Sequence, residues 1–155
     1  MGKKKKVNVS DFGMKWYKFL IYFALFASAL LNVISAILYF SGNVYKNSGT
    51  VYKVFPKLQM LDSLYGVALI VFAIFALVVR SALANYKGKA PKLLIRYYLI
   101  SGLVSFIYLI AASVIVSDSR VSVGTSAFVI VLGSILGAVI NAIYFKKRAV
   151  LFYKK

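Results

Sequence analysis

The sequence predicts an all-α, polytopic membrane protein: four transmembrane helices in an antiparallel bundle, with both termini cytoplasmic. Three observations carry that expectation. Four long apolar stretches fill most of the 155 residues, and their interiors contain no Asp, Glu, Lys, Arg or His, as a hydrocarbon core demands. Basic residues bracket these stretches instead of collecting on one face. Only Asp118, Ser119 and Arg120 separate the last two stretches, a link short enough to force a helical hairpin.

Residues 1–15 read as a basic cytoplasmic tail, 16–148 as the transmembrane domain and 149–155 as a second basic tail, with spans at about 17–40, 62–84, 94–117 and 122–145. A helix advances about 1.5 Å per residue, so a core of roughly 30 Å takes about 20 apolar residues. The first span starts after Lys18 and stops near Phe40, where Ser41, Gly42 and Asn43 end the helix. The loop that follows, to about Met60, mixes turn formers with Tyr45, Tyr52 and Phe55 and is the expected external contact, if it is more than a connector. The second span has the shortest uncharged run, Ser63 to Val79, about 26 Å at the helical rise. It reaches across if Asp62 caps its start and Arg80 snorkels to the headgroups; the other readings of Asp62 are a partner of Lys57 or part of a site. Asn85 and Gly88 stop it, and Pro91 suits the first turn of the third span. The fourth uncharged run, Val121 to Phe145, exceeds the needed length, so that helix tilts or starts late.

The net charge of +17 resembles a nucleic-acid signature until the positions are considered, because a nucleic-acid binder gathers its cations on one surface. Here sixteen basic residues flank one side of the spans and four the other, which sets both termini in the cytoplasm. The expected partners are the bilayer and its anionic lipids, with no nucleic acid. Candidate lipid contacts are Lys3, Lys4, Lys5, Lys6, Lys87, Lys89, Lys146, Lys147 and Arg148. Trp16, Tyr17, Tyr39, Tyr45, Tyr86, Tyr97, Tyr98 and Tyr144 lie near span ends and read as two interfacial belts.

Several chemistries are excluded by composition. The chain has no Cys, His or Glu, and its only carboxylates are Asp11, Asp62 and Asp118. A disulfide, a thiolate or Ser-His nucleophile and a transition-metal site therefore cannot be built from one chain. No catalytic residue, cofactor or metal is expected, and the protein reads as not an enzyme. Ion-coupled transport is disfavoured as well, since coupling relies on ionisable groups or opened helices deep in the bilayer.

Within the spans, small and polar residues recur at helical spacing: Ala24, Ser28, Asn32 and Ala36 in the first, Ser101, Ser105, Ser113 and Ser117 in the third, and Gly133, Gly137 and Asn141 beside Ile130 and Ser134 in the fourth. Lipid tails are as apolar as leucine, so helices associate through close packing at small residues and hydrogen bonds between polar ones. Asn32, Ser101, Ser105, Gly133, Gly137 and Asn141 are accordingly the candidates for helix packing or for lining a polar cavity.

The Trp16-Tyr17-Lys18-Phe19-Leu20 entry resembles a group of small, uncharacterised four-helix integral membrane proteins of gut Firmicutes. Leu61-Asp62 with Tyr65-Gly66, Arg80 with Lys89-Ala90-Pro91, and the Ile143-Tyr144-Phe145-Lys146-Lys147-Arg148 exit share the resemblance. It implies a bacterial plasma membrane and no particular activity. Some relatives carry an N-terminal zinc ribbon, for which this chain lacks the cysteines. The function expected first is a non-enzymatic accessory or scaffolding component acting through helix contacts, with a membrane-protein partner or as a homo-oligomer. The alternative is a small oligomeric transporter or channel without an intramembrane ionisable coupling residue.

Overall fold

The structure, a computed structural model, describes residues 13–116 and 123–152 and is helical almost throughout. Four helices are long and apolar enough to cross a membrane. They are α1 (Lys15–Ser41), α3 (Pro56–Ala84), α4 (Ala90–Val116) and α5 (Val123–Lys146); a short helix α2 (Ser48–Val54) stands in the loop after α1 and a 3₁₀ turn (Ala149–Phe152) follows α5.

Each helix ends for a local reason. Gly42 closes α1 in the left-handed region at φ 73°, where a Cβ would press on the Tyr52 ring at 3.0 Å, so glycine serves both the turn and the close approach of α2. Pro56 occupies the first turn of α3, where its missing N–H costs nothing. Asn85 terminates α3, and Tyr86 after it takes a positive φ of 51°. That strained backbone is held by packing, for the Tyr86 ring stacks on Tyr17 at 5.4 Å and leans on Phe152 at 5.8 Å.

α1 is interrupted by a π-helical turn at Leu20–Ala24. Such a turn shifts the hydrogen-bond register and frees a carbonyl, and Arg80 of α3 donates its Nε to the Ile21 carbonyl at 2.9 Å while its guanidinium lies 4.1 Å above the Phe26 ring. The expected snorkelling of Arg80 is replaced by this bond across helices. Asp62 departs further from expectation: α3 begins six residues earlier, at Pro56, so Asp62 does not cap it but is fully buried inside it.

α1 packs along α3, α3 along α4 and α4 along α5. The small residues sit at these contacts. A Cβ on Gly66 would strike the Phe40 ring at 2.8 Å, and one on Gly102 would run into Ser134. Ala36 and Ala76 are completely buried. Among the described residues α1 and α5 make no extended contact and are joined at one end only. There Trp16 Nε1 donates to Asn141 Oδ1 at 3.1 Å, and the Tyr144 hydroxyl accepts from the Tyr17 N–H at 3.2 Å. The rest of the space between them is a seam.

Outward faces are apolar: Leu30, Leu31, Val71, Ile74, Leu103, Ile107, Leu132 and Leu136 are all exposed, and only 11% of the most apolar window of α4 is buried. An apolar surface of this extent belongs to a multi-pass membrane protein, not to a water-facing monomer.

The glycine contacts give an expected outcome. Gly102→Ala should lower the thermal unfolding midpoint in detergent, with an overpacking cost of about 1–3 kcal/mol. Gly133→Ala, whose Cβ would meet nothing within 4 Å, should leave the midpoint unchanged.

Candidate functional site

Several polar groups of the spans converge on the seam. A cavity of about 340 Å³ lies there, with Asn32, Ser35 and Tyr39 of α1 on one side and Ile130 and Ser134 of α5 on the other. Its back wall comes from α3 and α4, where Tyr65, Tyr97, Ser101 and Ser105 face it. Within it Asn32 Nδ2 donates to the Tyr97 hydroxyl at 3.4 Å and the Tyr65 and Ser105 hydroxyls share a bond of 2.9 Å. Ser101 and Ser134 return their protons to the Tyr98 and Ile130 carbonyls of their own helices. The Ser35 hydroxyl and the Asn32 side-chain oxygen have no hydrogen-bond partner among the described residues.

Both ends of the seam are plugged. At one end, Tyr65 stacks on Tyr108 with ring centroids 4.0 Å apart, and Tyr39 meets both rings edge-on at 5.0 and 5.4 Å. Behind this stack lies Asp62, whose Oδ1 accepts from the Tyr108 hydroxyl at 2.8 Å and whose Oδ2 accepts from Tyr52 at 2.9 Å. A buried acid is costly unless its oxygens are bonded, and these two bonds tie α2, α3 and α4 at one residue. Burial, and then the bond to Asp62, pushes the Tyr52 hydroxyl above the ordinary tyrosine range; burial does the same to Tyr45. At the other end, the Tyr17 hydroxyl donates to the Leu83 carbonyl at 2.6 Å, and Tyr17, Phe145 and Phe152 pack edge to face.

The candidates named from sequence are distributed as follows. Asn32, Ser101 and Ser105 share the cavity. Asn141 does not join them; it is buried at the Trp16 end, accepting from Trp16 and donating Nδ2 to the Gly137 carbonyl at 2.8 Å. Gly137 lies under the Tyr98 ring, whereas Gly133 faces open space and packs nothing. Lys87, Lys89, Lys146 and Lys147 are exposed. Arg148 turns inward instead, donating to the Gly13 and Tyr144 carbonyls and covering the Tyr144 ring at 3.8 Å. Lys3, Lys4, Lys5 and Lys6 lie outside the described residues. The expected aromatic belts are also partly internal, because Tyr17 and Tyr97 are buried and Tyr39 belongs to the stack.

Sequence reasoning missed the Asp62 cluster and the contribution of Tyr65, Tyr97 and Ser35 to the cavity. A signal was present: Tyr108 sits mid-span, where an interfacial anchor has no place. Among the described residues no group of three or more His, Cys, Asp or Glu is placed to hold a metal. No protein-family model, curated protein or solved structure matches the chain.

Two outcomes follow for the Asp62 cluster. Tyr108→Phe should destabilise the fold by about 1–3 kcal/mol, the cost of leaving a buried acceptor unpaired, read as the unfolding midpoint. Tyr52→Phe should speed tryptic cleavage after Lys53 roughly fivefold through loss of one bond worth on the order of 1 kcal/mol. The sign of the pH effect is set by the raised Tyr52 hydroxyl. Its contribution is complete below the unfolded value of about 10 and fades as pH rises through the higher folded value. The midpoint of the native protein should hold to about pH 10 and fall above it, more steeply than that of Tyr52→Phe.

Proposed function

We propose that the protein is a non-enzymatic accessory or scaffolding component of a bacterial plasma membrane, and that its contact site is the seam between α1 and α5. In this reading the four spans form an antiparallel bundle with both termini cytoplasmic. The antiparallel order is supported by the bonds joining the start of α1 to the ends of α3 and α5. The orientation is supported by the sixteen-to-four division of basic residues.

One observation carries the choice of site: among the described residues Ser35 and the Asn32 oxygen have no hydrogen-bond partner in the seam, at the middle of otherwise apolar helices. In hydrocarbon an unsatisfied polar group draws a partner, and a helix bearing a polar side chain among small residues supplies one. A fifth helix, from another protein or a second copy, would complete α1 and α5 where they fail to meet. The aromatic plugs at both ends favour lateral docking over through-passage.

A photo-crosslinking residue at Ser35 tests this in native membranes. The proposal expects one protein, or a second copy, to be captured at near-equal stoichiometry from Ser35 and not from the outward-facing Leu136. Equal capture at both positions, or none at Ser35, would overturn it; liposome flux sensitive to Asn32→Leu and Ser105→Ala would then establish the transporter alternative.

A further inference from the structure

A second cleft, of about 480 Å³, opens away from the seam at the end that carries Trp16. Its walls are the start of α4 and the end of α5, with Ile95, Ala142 and Phe145 as an apolar floor and Lys92 and Lys146 at the rim. Lys92 also borders a neighbouring cleft of about 240 Å³ together with Lys89 and Arg96. The C-terminal 3₁₀ turn closes the remaining side: Phe152 is buried against Tyr17, Tyr86 and Phe145, and its carbonyl lies so near Gly88 that a Cβ there would come within 2.9 Å. Residues 149–152 are therefore part of the folded domain, not of the free basic tail expected from sequence.

Among the described residues no carboxylate offsets the charge at this end. Asp62 is the single acidic side chain among them, and it is enclosed with Tyr52 and Tyr108 at the far end of α3. Lys92 and Lys146 are exposed, so the rim presents two ammonium groups that no described carboxylate meets. An apolar floor beneath paired cations matches an amphiphile whose head is anionic, and the cleft lies where two apolar helices end, at the depth of a headgroup.

We propose that this cleft binds one anionic phospholipid of the surrounding bilayer. Its phosphate sits between the ammonium groups of Lys92 and Lys146, and the upper part of an acyl chain lies along Ile95 and Ala142. The C-terminal turn walls the head from Tyr17 and the buried cluster behind it.

The test uses the full chain in mild detergent, with native mass spectrometry after exposure to equimolar phosphatidylglycerol and phosphatidylcholine of identical acyl chains. Retention of phosphatidylglycerol should exceed that of phosphatidylcholine by roughly twenty-five-fold, since each of the two lysines contributes about a fivefold factor at a membrane surface. Lys92→Gln with Lys146→Gln should abolish the preference without changing the unfolding midpoint. Lys15→Gln with Lys18→Gln, the same charge removed from the same end outside the cleft, should keep it. Equal retention of both lipids by the native chain, or equal loss in the two double variants, would overturn the proposal, the second result meaning a diffuse basic surface. Displacement of phosphatidylglycerol by inorganic phosphate alone would also overturn it, by showing that the acyl chain is not held.

Discussion

Asp62 is the residue on which one whole end of this protein depends. Its two oxygens are met by hydroxyls from the loop helix and from α4, so a single carboxyl on α3 fixes three elements at once. The same Tyr108 that bonds Asp62 stacks on Tyr65, Tyr65 bonds Ser105, and Tyr39 of α1 rests against both rings. The arrangement follows from burying an acid where water is scarce: it needs donors, and tyrosine supplies an O–H on a ring that itself packs as a hydrophobe. Arg80 illustrates the same economy at the opposite end, taking up the carbonyl that the π turn of α1 sets free.

Between these two fastened ends the bundle is left unclosed. α1, α3, α4 and α5 contact one another in chain order, and among the described residues the hydrogen bonds that return from α5 to α1 are those of Asn141 with Trp16 and of Tyr144 with Tyr17. The proposed docking role rests on that geometry, and the proposed lipid site occupies a different cleft with a different chemistry: hydroxyls and an amide in the seam, ammonium groups over an apolar floor between α4 and α5. A contact made at one site leaves the other available.

Much of the architecture was legible because it depends on periodicity and punctuation. Gly42, Asn85 and Pro91 stop or start helices where their backbone chemistry dictates, and four uncharged runs became four long helices. The beginning of α3 was not legible, because Asp62 looks like a cap when the helix is read only from its uncharged run, and nothing local announces that Leu58 and Asp62 are both buried. Asn32 and Ser105 were recognisable as polar residues in apolar surroundings. Their meeting in one cavity while Asn141 lies apart is a matter of helix rotation and level, which spacing along one helix does not determine. Gly133 and Gly137 have the same sequence signature, yet only Gly137 is covered.

The central claim is that the seam is a polar opening at mid-depth and not merely a gap in an apolar surface. The absence of cysteine makes the most direct measurement simple: single spin labels at Ser35 and at Leu136 in lipid nanodiscs, with the nitroxide hyperfine splitting, which grows with polarity and hydrogen bonding around the label, compared between them. The account predicts a larger splitting at Ser35, inside the seam, than at Leu136 on the outward face of α5. Equal splittings at the hydrocarbon value at both positions would contradict it, for the seam would then be a gap in an apolar surface.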